Sequence, residues 1–120
     1  MVDKELFLRL EEAGIDTNEA LSRMMGNEAL LMRILSKLKT DKNYDSLRES
    51  LSRDDAKGAF AASHTLKGIY GNVSATELFR LFSEQTELLR KGDLEGGKRL
   101  MKDIEPLYTK LMEAIKWEQA

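Results

Sequence analysis

A chain of 120 residues without cysteine is sized for one domain with a real core, and the missing thiol excludes disulfides, cysteine-zinc sites and thiol nucleophiles. Its 19 basic and 21 acidic residues leave a net charge of −2, which argues against a broad basic face for nucleic acid. The start Met1-Val2-Asp3-Lys4-Glu5 lacks a signal-peptide apolar core and no apolar run nears a membrane span, so a soluble, cytoplasmic protein that engages no membrane is expected.

Charged residues make up 33% and there is one proline, a composition suited to helices with polar outer faces. Leu6, Phe7 and Leu10 give an apolar patch over 3–11 that ends near Gly14. Asp16, with Glu19 three residues on, reads as a helix start, followed by Ala20, Leu21, Met24 and Met25 and a stop at Gly26. Asn27 then caps a clearer helix whose apolar positions are Leu30, Leu31, Ile34, Leu35 and Leu38.

After the polar break at 40–43, Tyr44, Leu47 and Leu51 mark a short helix. Asp54 and Asp55 favour the start of the next one, which is expected over 55–71. Ser74-Ala75-Thr76-Glu77 has the form of a capping box, and Leu78, Leu81, Phe82, Gln85, Leu88 and Leu89 make the apolar face of the helix behind it. Lys91-Gly92-Asp93 terminates that helix. The last one carries Leu94, Leu100, Met101, Ile104, Leu107, Tyr108, Leu111, Met112 and Ile115, with a kink expected at Pro106. The methionines and Trp117 are assigned to core or rim packing.

The pattern is all-α. It predicts a single domain over 1–120, an antiparallel up-down four-helix bundle over about 43–117 with short N-terminal helices over about 3–40 packed on one end. A monomer is expected, because no long heptad seam is left over.

The only histidine lies in the middle, in Ala62-Ser63-His64-Thr65-Leu66-Lys67-Gly68-Ile69-Tyr70-Gly71. Ala59, Ala62, Leu66, Ile69 and Val73 form an apolar stripe of helical period. His64 is two residues from its nearest members, about 200° around the helix, so the imidazole points outward. Phe60, Ala61, Lys67, Gly68 and, one turn on, Gly71 share its face. A glycine inside a helix costs ~1 kcal/mol relative to alanine, and two on this face strip side chains from the surface beside the ring so that another molecule approaches closely.

One imidazole without cysteine makes a poor metal site, and no strand-to-helix elbow supports a serine hydrolase. Gly68-Ile69-Tyr70-Gly71 has the GxxG form of an RNA-clamping loop, but the strands of that fold are missing. Nucleophilic use fits better. A histidine that accepts a phosphoryl group needs an exposed ring, largely neutral near pH 7, a nearby cation and room for the donor. Lys67 supplies the cation and Gly68 the room. Lys57, about two turns earlier, adds a second positive charge, and an exposed Phe60 offers an apolar docking point.

The run Ser63-His64-Thr65-Leu66-Lys67-Gly68, then Asn72-Val73-Ser74-Ala75 and Leu78, resembles the histidine phosphotransfer (HPt) domain of bacterial multistep phosphorelays. The family pattern is approximately Ala-His-x-Leu-Lys-Gly, a spacer, Gly-Ala and a leucine three residues later, and the helix order resembles it from about Asn27 to Lys116. Ser63 and Ser74 depart, standing where alanine and glycine are common. The resemblance implies that His64 is the phosphoacceptor, Lys67 its positive neighbour and Gly68 the gap that admits the partner. It implies a carrier without kinase activity or cofactor of its own, exchanging phosphoryl with receiver domains whose magnesium serves the chemistry, and fed by a hybrid sensor kinase. The alternative is a non-catalytic helical module that docks or inhibits a kinase or receiver.

Overall fold

Short connections between the helices follow from one way of ending a helix, used repeatedly. The structure, a computed structural model, describes residues 4–117 with the Trp117 side chain excepted. Its seven helices among the described residues are α1 (Lys4–Glu12), α2 (Thr17–Arg23), α3 (Glu28–Leu38), α4 (Asn43–Ser52), α5 (Ala56–Asn72), α6 (Thr76–Arg90) and α7 (Leu94–Trp117). The chain is all-helical there.

At the end of α5 the Ala75 amide donates to the Tyr70 carbonyl and the Ser74 amide to the Gly71 carbonyl, at 3.0 and 3.2 Å. These are the two bonds of a Schellman ending, which requires a left-handed residue between them. That residue is Ser74, with φ +57. The ends of α1, α2, α4 and α6 repeat the pattern around Gly14, Met25, Asp54 and Gly92. The reversed chain then meets a cap for the following helix. Asp16 accepts from the Glu19 amide, Asn27 from Leu30, Asp55 from Gly58 and Asp93 from Gly96, at 2.8–3.0 Å.

Two expectations need correction here. The capping box at Ser74 does not form: α6 begins after Ala75 without a side-chain cap, and the buried Ser74 hydroxyl has no hydrogen-bond partner among the described residues. The left-handed backbone that closes α5 turns that side chain away from the amides it was expected to cap. Asp54 likewise does not serve the α5 amides; it takes the left-handed turn position, and its carboxylate receives the Lys98 ammonium at 2.6 Å.

Helix α5 packs on α4 and on α6, α6 packs on α7, and α7 reaches back to α4. Between them lie Leu47, Leu51, Ala59, Leu66, Tyr70, Phe82, Ile104 and Leu111, all buried. Fully burying each leucine, Ile104 or Phe82 contributes about 1.5–3 kcal/mol. The α7 helix runs as one element across Pro106, which lies on its exposed side. Helices α1 and α3 pack on α7, while Ile15 forms an isolated antiparallel bridge with Ala75 and the Asp16 amide donates to the Ser74 carbonyl at 2.9 Å. The N-terminal segment is thus tied to the turn between α5 and α6. No helix of the described residues is long and apolar enough to cross a membrane.

Candidate functional site

Helix α5 sets the site because its buried and open faces are sharply divided. Ala59, Ala62, Leu66 and Val73 are buried as the stripe requires, Ile69 is only partly so, and Ser63 and Tyr70 join them inside. His64 and Ala61 are exposed, and no hydrogen bond within the described residues engages the imidazole. Seventeen residues give α5 a length of about 25 Å, with His64 near its middle.

Phe60 departs from expectation. It is partly buried rather than exposed, because it packs against the core, and its ring lies along the imidazole one turn on, with centroids 5.9 Å apart and planes 11° from parallel. The Arg90 guanidinium stands over the same ring, 5.2 Å from its centroid, while pairing with Glu87 at 3.1 Å. A cation over an aromatic face is attracted by the ring quadrupole. Arg90 is therefore a basic group of this surface that sequence reasoning missed. Its spacing marks only an exposed residue near the end of α6; what brings it to Phe60 is how α5 and α6 cross.

Lys67 is partly buried and Lys57 exposed, and neither forms an ion pair within the described residues. The two glycines differ. A Cβ built on Gly68 meets no atom within 4 Å, so the surface one turn from His64 is open. A Cβ on Gly71 falls 2.9 Å from the Phe79 ring, so its bare side accommodates that ring and not an incoming molecule. Phe79 itself is exposed beside it, 41% accessible.

Behind His64 the helix is held by buried polar groups. The Ser63 hydroxyl donates to Gln85 Oε1 at 2.8 Å, and Gln85 Nε2 donates to the Gly97 carbonyl at 2.9 Å. Thr86 Oγ1 lies 3.2 Å from the Ser63 hydroxyl and donates to the Phe82 carbonyl at 2.7 Å. One glutamine thereby joins α5, α6 and α7 directly under the exposed imidazole. Among the described residues no three His, Asp or Glu side chains converge as metal ligands.

An exposed imidazole beside a lysine and an open glycine leaves the ring accessible to another molecule. No curated protein and no solved structure matched the chain. The family model described as the Hpt domain matches residues 32–116, a span that contains α4 to α6, nearly all of α7 and every residue of the His64 surface, and the chain belongs to the Hpt domain family.

Proposed function

We propose that His64 is the phosphoacceptor of a phosphorelay carrier, taking the phosphoryl group from a receiver-domain phospho-aspartate and passing it to another receiver. Hpt domains work with response-regulator receiver domains and histidine kinases in phosphorelays, as carriers without kinase activity. The observation that carries the assignment is the exposed imidazole with open space at Gly68, one turn along the same face. The unprotonated ring nitrogen attacks phosphorus; the P–N bond forms as the P–O bond to the aspartyl carboxylate breaks, and the electron pair leaves with that carboxylate. The proton on the other ring nitrogen stays, and the reverse step delivers phosphoryl to the next aspartate.

In this reading α4 to α7 form an antiparallel up-down bundle within a single domain, supported by the packing of successive helices across short connections. Lys67, with no carboxylate of the described residues engaging it, offsets the phosphoryl oxygens; Lys57 and Ala61 extend the docking surface. Gly68 admits the receiver's acidic pocket, and the magnesium belongs to the receiver. We place the exchange in the cytoplasm, where Hpt domains generally act.

The test mixes the chain with a phosphorylated receiver and follows label onto it. Acid-labile, base-stable label that is lost in His64→Gln is expected. Lys67→Ala should slow transfer about tenfold with the fold unchanged, an effect of about 1.4 kcal/mol on the barrier. Label retained in His64→Gln would overturn the assignment, and unchanged kinetics would remove the role given to Lys67.

A further inference from the structure

Next to the His64 surface lies an open hollow of about 440 Å³, and one of its walls comes from outside the span matched by the family model. Gly68 and Gly71 of α5 and Phe79 of α6 line one side, and Glu19 and Arg23 of α2 line the other. Gly68 is one turn from His64, so the hollow and the imidazole open on adjoining parts of one surface.

The position of α2 is fixed by backbone. The Asp16 amide at its start donates to the Ser74 carbonyl and Ile15 bridges Ala75, so α2 is seated on the turn that follows the histidine helix. Its cap, Asp16 to the Glu19 amide at 3.0 Å, sets where Glu19 projects. Glu19 and Arg23 face each other at 3.6 Å with about half of each side chain in solvent. The hollow therefore has an apolar side, made by Phe79 against Gly71, and a rim carrying one charge of each sign.

We propose that α2 is part of the receiver-docking face and selects among receivers. This rests on the phosphorelay reading, because the occupant it commits to is the receiver surface beside the phospho-aspartate. When that surface meets His64 it also covers the adjoining hollow. An apolar receiver side chain lies on Phe79, and flanking charges of the complementary order meet Arg23 and Glu19. Paired charges at a rim govern partner choice and encounter rate more than tightness.

The experiment uses the full chain and a receiver that phosphorylates it, and compares wild type with Arg23→Glu and Phe79→Ser. Phosphoramidate, a small donor that needs no docking face, labels His64 in parallel. Both variants should take label from phosphoramidate at the wild-type rate, keep their melting transition, and accept label from the receiver at least fivefold more slowly, mainly through KM. Arg23→Glu should also change the ranking of two receivers. Transfer unchanged in Arg23→Glu with active wild type overturns the role of α2, whatever Phe79→Ser does, and leaves the phosphorelay reading standing. A wild type that takes label from phosphoramidate and from no receiver removes both.

Discussion

Gly68 and Ser74 are one turn and nearly three turns beyond His64, and each sets local stability against local chemistry in a different way. At Gly68 an added methyl meets open space, so Gly68→Ala should leave the fold intact and stabilise α5 by about 1 kcal/mol, read by urea unfolding. In the proposed exchange the same methyl stands where the receiver approaches, so transfer should slow at least tenfold. A variant both more stable and as fast as wild type would show that the bare surface is unused. Ser74 holds a left-handed conformation that costs a side chain about 1–2 kcal/mol, and its buried hydroxyl has no partner among the described residues. Ser74→Gly should therefore raise the melting temperature by about 4 °C or more without changing labelling of His64. The glycine common at this position in the family is explained by the same backbone. That requirement was not legible in the sequence, because a serine followed three residues later by glutamate reads equally as a cap, and only the closing bonds of α5 decide between them.

At the scale of the helices, the local signals were legible and the crossings were not. Asp16, Asn27 and Asp55 were readable as caps because a cap involves only its own next three residues. The outward direction of His64 was readable because the stripe through Ala59, Ala62 and Leu66 is local to α5. The burial of Ser63 and Tyr70, the Arg90–Phe60 pair and the seat of α2 on the α5–α6 turn all depend on residues far apart in sequence. Gln85 shows the difference clearly: the pattern places it on the buried face of α6, but its use depends on Ser63 and Gly97 arriving from two other helices. Gln85→Leu should cost about 1–3 kcal/mol by leaving the Ser63 hydroxyl without its glutamine acceptor. Ser63→Ala removes the other end of that bond, so the double variant should lose less than the sum of the two singles. Strictly additive losses in a urea double-mutant cycle would show that the pair does not act as a unit.

Across the whole molecule, a chain of aromatic rings links α4 to α7, beside the aliphatic core and the Gln85 bonds. Tyr44 of α4 stacks on Tyr108 of α7 with centroids 3.6 Å apart, Tyr108 meets Tyr70 of α5 edge-on at 6.2 Å, and Tyr70 lies 5.7 Å from Phe82 of α6. Burial, reinforced by the Glu105 carboxylate, pushes the Tyr44 phenol up to about 12. Burial first, then the neighbouring Tyr108 and Asp41, drives Tyr70 up as well, and Tyr108 shifts in the same direction. A phenol is neutral when protonated, and each of these holds its proton more tightly folded than unfolded, where its value is near 10. Their contribution to stability is therefore complete below pH 10 and is lost as pH climbs from 10 through 12 and beyond. Unfolding free energy measured in urea should be nearly level from pH 8 to 9.5 and then fall, with Tyr44 alone accounting for about 2–3 kcal/mol by pH 12. Tyr44→Phe isolates that share from lysine titration. The buried Tyr44 hydroxyl has no partner among the described residues, so the variant should match or exceed wild type by about 1 kcal/mol at pH 8 and lose less on going to pH 11. Equal alkaline losses in the two proteins would show that the tyrosine core does not set the upper pH limit of the fold that carries His64.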